Sequence, residues 1–206
     1  NKVIIEDFLE GEEASFIAVV SGEEIIPLAT SQDHKAAYDG DKGPNTGGMG
    51  AYSPAPIVTD ELHKKIMDEV MSPTVKGLIA EGSSYLGFLY AGLMIKDDEI
   101  NVLEFNCRFG DPETQPIMMR LESSLVELCL AAINNTLGSH QVRWSSNHAC
   151  GVVIASEGYP GNYETNKEVV INNHSEDDVK LFHAGTKIKD NQLVTSGGRV
   201  FCATGT

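Results

Sequence analysis

The sequence predicts an α+β protein: a larger part of antiparallel strands and helices, then a small β-rich module that reads as incomplete. Three observations predict it. Two pairs of apolar runs are each split by a short turn, the signature of hairpins. Helical periodicity fills the stretches around them. Beyond a polar stretch at Gly138–Asn147, short strand-like runs alternate with glycine turns. The expected division is 1–138 and 139–206.

The elements follow in order. Val3–Leu9 reads as a strand, and Glu10-Gly11-Glu12-Glu13 as a turn. Ala14–Val20 and Glu24–Leu28 form the first hairpin around Ser21-Gly22. Periodicity then vanishes from Ala29 to Ile57, a loop long enough to be either functional or disordered. Its His, Lys, Met and aromatic residues among glycines favour function. Thr59 is placed to cap a helix that puts Leu62, Ile66, Met67, Val70 and Met71 on one face. Pro73 ends or kinks it, and Val75–Ala80 continues to Gly82. Phe88–Ile95 and Glu99–Phe105 make the second hairpin about Asp97-Asp98. Gln115–Leu121 and Ser123–Asn134 read as helices, the second with a stripe of Leu125, Val126, Leu128, Cys129, Ala132 and Ile133. The module's strands are Ala149–Ala155, Glu168–Ile171, Val179–Phe182, Gln192–Val194 and Arg199–Cys202.

Bulk properties narrow the partners. With 41% hydrophobic and 22% charged residues the composition is that of an ordinary globular protein. A net charge of -15 repels nucleic-acid backbones and anionic membranes, so neither is an expected partner. It does not exclude ATP, because a metal ion and a few local cations override the global field. No apolar run approaches the roughly 20 residues of a membrane span, and no signal peptide is visible. Cys107, Cys129, Cys150 and Cys202 have no Cys-x-x-Cys spacing, the pattern of reduced, mostly packed thiols in a cytoplasmic setting.

The stretch Glu104-Phe105-Asn106-Cys107-Arg108-Phe109-Gly110-Asp111-Pro112-Glu113-Thr114-Gln115 carries the chemistry. It closes the apolar run from Ile100 to Leu103. Strand alternation puts Glu104 and Asn106 on one face, roughly 6–7 Å apart, with Phe105 turned toward a core. A carboxylate and an amide oxygen are hard ligands of the kind Mg²⁺ takes when phosphates complete its shell. Arg108 follows, suited to a phosphate or carboxylate. By spacing alone a second reading stands beside this one, a strand end with polar residues in water. Cys107 alternates away from the pair and has no base placed for it.

Several segments together resemble one family. They are Ala29-Thr30-Ser31-Gln32-Asp33-His34-Lys35, Gly43-Pro44-Asn45-Thr46-Gly47-Gly48-Met49-Gly50-Ala51-Tyr52, Leu89-Tyr90-Ala91-Gly92-Leu93-Met94, and Leu103 to Gln115. In that order they resemble the phosphoribosylamine–glycine ligases, the glycinamide ribonucleotide synthetases of the ATP-grasp superfamily. Gly158-Tyr159-Pro160-Gly161, Phe182 to Thr186 and Gly197-Gly198-Arg199-Val200 resemble that family's C-terminal module. The likeness covers essentially the whole chain.

The resemblance implies an ATP-grasp C-terminal subdomain in the larger part, and it implies a reaction. Glycine's carboxylate attacks the γ-phosphate of ATP, and 5-phosphoribosylamine then displaces phosphate from glycyl phosphate, an early step of purine biosynthesis. It also implies roles. Glu6, Asp7, Phe8 and Leu9 would read the adenine edge at the hinge of the ATP grip. Glu13 would accept hydrogen bonds from the ribose. Glu104 and Asn106 would hold Mg²⁺ or Mn²⁺, and Arg108 would meet phosphate or the acyl-phosphate transition state. Asp33, Lys35, Pro44, Asn45, Thr46, Gly47 and Gly48 would line the glycine and phosphoribosylamine site. Many relatives add an acid on the preceding strand, but here it reads Tyr90-Ala91-Gly92-Leu93, so the metal site is expected to rest on two residues. His34 is equally suited to a structural and a catalytic part. Asp111 and Glu113 are candidates for substrate ligands or helix caps, Asp111 more readily a cap.

The family's N-terminal domain and the first half of its ATP grip have no counterpart here, so both ends read as cut from a longer protein, whose other domains are the expected partners. Other ATP-grasp enzymes, such as carboxylases, share Glu-x-Asn-x-Arg without the Asp-His-Lys and Pro-Asn-Thr-Gly-Gly-Met-Gly segments. A nucleotide-binding regulatory module is the reading from a different class. The 206-residue chain by itself is expected to release no ADP when given ATP, glycine and phosphoribosylamine. Clear turnover in a coupled ADP assay would overturn that expectation.

Overall fold

A computed structural model describes residues 3, 5–40, 42–172 and 178–206. The first sheet has four antiparallel strands in the order β2-β1-β5-β6, with β1 at Glu12–Ser21, β2 at Glu24–Pro27, β5 at Leu86–Lys96 and β6 at Glu99–Asn106. These are the two expected hairpins, joined through β1 and β5. Asp97 and Asp98 take positive φ of 51° and 62° at the tight turn, a conformation Asp tolerates.

Both faces of this sheet are covered, and the alternation along β1 shows how. Ala14, Phe16, Ala18 and Val20 pack with Leu89, Ala91, Leu93 and Ile95 under helix α1 (Asp60–Ile66) and helix α2 (Ser72–Ala80). Ile17 and Val19 face the other way, with Tyr90, under helix α3 (Thr114–Arg120) and helix α4 (Leu125–Ile133). A strand buried on both faces reads as a continuous apolar run, as Phe16–Val20 does.

The helix starts follow their caps. Thr59 accepts from the Leu62 amide at 3.2 Å, and Ser124 from the Glu127 amide at 3.2 Å. Between α1 and α2 the turn at Met67–Met71 is π-helical. Pro73 follows it in the first turn of α2, where it has no amide to donate to the preceding turn. The expected stripe on α4 is only partly buried. Leu128 and Ala132 are in the core, whereas Val126 is 67% and Ile133 62% exposed, because a helix apolar on all sides can offer only one face to the sheet.

The second sheet departs from the sequence reading. The stretch Ala29–Ile57 is not an irregular loop. It contains β3 (Gln32–Tyr38) and β4 (Lys42–Ser53), which pair with each other. The five-stranded sheet has the order β3-β4-β7-β11-β8, with β7 at Ala149–Ala155, β8 at Val179–His183 and β11 at Arg199–Gly205. Strand β4 pairs antiparallel with β7, Gly50 opposite Val152 and Tyr52 opposite Cys150. Glycines at 43, 47, 48 and 50 hid this strand, since they weaken the alternation on which a strand is recognised. A short ribbon of β9 (Thr186–Lys189) and β10 (Gln192–Thr195) completes the module.

Three further expectations are corrected. Val3 and Ile5–Leu9 form no strand, and Ile4 lies outside the described residues, as does Asp41 just before the glycine segment. Glu168–Ile171 makes only an isolated bridge from Glu168 to Val194. Cys107 and Cys150 are exposed rather than packed. Among the described residues, no helix is long and apolar enough to cross a membrane.

Arg120 links the parts. The residue is 8% exposed, and its guanidinium donates to Ser53 Oγ at 2.9 Å, Asn147 O at 2.8 Å and Ser145 O at 3.0 Å. Arg120→Ala leaves these acceptors unmet and is expected to cost about 2–4 kcal/mol, read as a lower urea midpoint at unchanged m-value.

Candidate functional site

The site is built on the register of the first sheet. Ser15 of β1 lies opposite Gly92 of β5, and Gly92 opposite Glu104 of β6. One step along, Ile17 lies opposite Tyr90 and Tyr90 opposite Asn106. Glu13, Ser15, Glu104 and Asn106 therefore share the face that carries α3 and α4, at the end where those helices leave it open. The register shifts between Gly92 and Leu93, so β6 holds one extra residue there.

Asn106 donates through Nδ2 to Glu104 Oε1 at 2.9 Å, which shows the two side chains side by side. Phe105 does not enter a core and is 41% exposed, because β6 is an edge strand with its far face in solvent. The Asn106 amide oxygen and the second Glu104 oxygen are left for a ligand. Two hard oxygens with open space beside them fit Mg²⁺, which keeps water and phosphate in its shell. Gly92 supplies part of that space: a Cβ built there would sit 3.5 Å from Glu104 Cγ. Among the described residues no three His, Cys, Asp or Glu side chains gather as a metal cluster.

The glycine segment and β3 form the facing wall. Lys35 donates to Glu13 Oε2 at 2.6 Å. Burial alone would lower the Lys35 ammonium, but the Glu13 hydrogen bond and charge, with Asp33 and Glu104 adding, hold it above its ordinary value. Burial, and next the charge of Glu113, pushes the Asp33 carboxyl from 3.8 up to about 7, against the opposing pull of Lys35 and Arg199. Asp33 Oδ1 is buried without a hydrogen-bond partner among the described residues. Gly48, at φ +107°, lies so close that a Cβ there would meet this oxygen at 2.6 Å. Thr46 Oγ1 donates to Lys35 O at 2.8 Å and accepts from the Gly48 amide at 3.0 Å, holding the segment to β3. Pro44 and Asn45 are exposed on β4, and Asn45 lies opposite Ala36. His34 is exposed, its ring 5.2 Å from that of Tyr52.

Arg108 is exposed and donates to Phe109 O at 2.8 Å. Glu6, Asp7, Phe8 and Leu9 line a groove of about 320 Å³ with Met94, Val102 and Leu103, between the N-terminal segment and the β5–β6 hairpin. A larger cavity, about 900 Å³, lies in the C-terminal module between Ile154, Val169 and Phe201 and contains none of the candidate residues.

Further residues without a settled role join this site. Glu113 is 2% exposed and accepts from Ser15 Oγ at 2.8 Å, and Ser15 Oγ lies 2.9 Å from Tyr90 Oη. Asp111 does not cap α3, whose N-terminus has no side-chain cap. Its carboxylate instead accepts from Arg199 Nη2 at 3.1 Å. Arg199 and Tyr159 reach in from the C-terminal module; in the sequence both stand in segments that resemble the family's C-terminal module, without a role of their own.

The Asp33 carboxyl gives a pH test. An acid whose pKa is higher in the fold than in the unfolded chain favours folding while protonated. Its contribution is therefore present at low pH and lost as pH rises from about 4 to about 7. Asp33→Asn removes that loss, so urea midpoints taken at about pH 5 and pH 8 should differ less in the variant than in the wild type.

The family model for the phosphoribosylglycinamide synthetase ATP-grasp (A) domain matches residues 1–114, and that for the C domain of the same synthetase matches 149–206. A phosphoribosylamine–glycine ligase of Vibrio vulnificus is 59% identical over 208 residues, covering 99% of this chain and 48% of that protein. One of Pseudomonas aeruginosa is 60% identical over 208 residues, with the same coverage of 99% and 48%. The crystal structure of the Thermotoga maritima phosphoribosylamine–glycine ligase superposes with a TM-score of 0.86 at 38% identity, covering 98% of this chain and 49% of that one. Rhizobium etli pyruvate carboxylase, at 10% identity and a TM-score of 0.66 over 94% of this chain and 19% of its own, shares the fold alone. The chain spans about half the length of the curated relatives it matches.

Proposed function

The chain belongs to the phosphoribosylglycinamide synthetase family, and from that premise we propose that it forms the metal-bearing and substrate-facing part of an ATP-dependent ligase joining glycine to 5-phosphoribosylamine. The observation that carries this reading is the register Ser15–Gly92–Glu104. It sets Glu13, Glu104 and Asn106 on one open face, opposite Asp33 and Lys35. Division near residue 138 is proposed as well, with β3 and β4 extending the sheet of the module beyond it.

The adenine would enter the groove of Glu6, Asp7, Phe8 and Leu9, its apolar floor supplied by Met94 and Leu103. Glu13, now paired with Lys35, would turn to the ribose hydroxyls. Glu104 and Asn106 would hold the divalent cation, Mg²⁺ or Mn²⁺. When bound, that ion would supply positive charge against the ATP phosphates and shield them from an incoming carboxylate. Arg108, exposed and now donating to the Phe109 carbonyl, would turn to a phosphate oxygen.

The glycine carboxylate oxygen would attack the γ-phosphorus, giving glycyl phosphate and ADP. The phosphoribosylamine nitrogen would then attack the carbonyl carbon, lose a proton and release phosphate. Lys35 would offset carboxylate and phosphate charge during these steps. Asp33 is placed beside Gly48, on the wall proposed for the amine, with Pro44, Asn45, Thr46 and Gly47 completing that wall. A cytoplasmic location and partnership with further domains of the same protein belong to this proposal.

In the full encoded protein, Glu104→Ala with Asn106→Ala is expected to lower ligase turnover at least about a hundredfold while unfolding behaviour is kept. Retained turnover would defeat the metal assignment. If wild type binds ATP without turnover and the variant changes binding only, the chain serves a regulatory nucleotide-binding protein instead.

A further inference from the structure

Resting on the ligase reading for what the site binds, we infer that Arg199 is a positioning residue, by which the C-terminal module fixes the Gly47–Gly48 wall against the turn that follows the metal-bearing strand. Its Nη1 donates to Gly47 O at 2.6 Å and Asp111 O at 2.7 Å, with Gly48 O at 3.4 Å, and its Nη2 donates to Asp111 Oδ2 at 3.1 Å. One guanidinium thus joins β4, the Asp111–Glu113 turn and β11.

The donor count separates positioning from ligand binding. At least three of the five N–H groups of Arg199 are engaged by protein acceptors, and its side chain is only 21% exposed. Its backbone is fixed in turn, since Arg199 O accepts from the Gly185 amide at 2.8 Å. Gly47 is shaped to receive it: a Cβ at Gly47 would sit 3.1 Å from Arg199 Cζ. A second tie from the same module reinforces the first, as the Gly47 amide donates to Tyr159 Oη at 3.0 Å. The planar fork matters here, because a lysine ammonium keeps the charge but cannot span two carbonyls and a carboxylate in one plane.

The consequence is a separation of roles. Glu104 and Asn106 are placed by the first sheet without help from Arg199, so nucleotide and metal binding should not depend on it. The amine wall should. A small displacement of a positioned wall costs much in substrate use.

Arg199→Lys and Tyr159→Phe, made in the full encoded protein, test this by hydrogen exchange and by kinetics. Exchange across 43–50 is expected to quicken in both, while exchange across 86–106 stays as in wild type. The KM for phosphoribosylamine is expected to rise roughly tenfold in Arg199→Lys, with the KM for ATP within about twofold of wild type. Unchanged exchange across 43–50, or an equal rise of both KM values, overturns the inference. Should Arg199→Lys fail to fold, Tyr159→Phe decides by the same two readouts. Absence of ligase turnover in the wild type would defeat the ligase reading alone, and the exchange pattern would still judge the positioning role.

Discussion

Burial of both faces of β1 and β5 is the constraint on which the rest of the structure depends. Phe16 is under α1 and α2, and Ile17 is under α3 and α4, so the middle of the sheet is closed to water on either side. A charged side chain there would be desolvated without a partner. Polar groups can emerge only where the helical layers stop, and there Glu13, Glu104 and Asn106 stand on one face. The boundary is marked by hydrogen bonds from Ser15 to Glu113 and between Ser15 and Tyr90, which satisfy the last polar groups before the apolar core.

The second sheet closes the site from the other side. Because β4 pairs with β7, the glycine segment is held as sheet rather than left as a free loop. That brings Asp33 and Lys35 over the acids of the first sheet, into a zone partly shut off from solvent. The upward shift of the Asp33 carboxyl and the tight Lys35–Glu13 pair are two results of this crowding. Arg120, at the centre of this junction, holds β4 and the 145–147 segment together. Arg199 repeats that logic nearer the site, with carbonyls as its main acceptors.

Much of this is legible in the amino-acid order. Hairpins about Ser21-Gly22 and Asp97-Asp98 follow from alternation and turn residues, and the start of α1 follows from Thr59, whereas the Ser124 cap of α4 is a structural finding. The side-by-side placement of Glu104 and Asn106 follows from the two-residue repeat of a strand. Illegible are the elements whose side chains carry no pattern. Strand β4 is largely glycine and polar residues, so its sheet character comes from partners on β3 and β7 rather than from its own sequence.

The sequence by itself determined the hairpins, the helix capped by Thr59, the side-by-side setting of Glu104 and Asn106 and the family, because these rest on local periodicity and on runs of contiguous residues. Tertiary structure alone decided that the glycine segment is a strand shared with the module, that Phe105 faces solvent, that Asp111 binds Arg199 rather than capping a helix, and that Glu113 is buried against Ser15. The physical reason is distance along the chain. Asp111 and Arg199 are 88 residues apart, and Ser15 and Glu113 are 98 apart, so only the pairing of strands could bring either pair together.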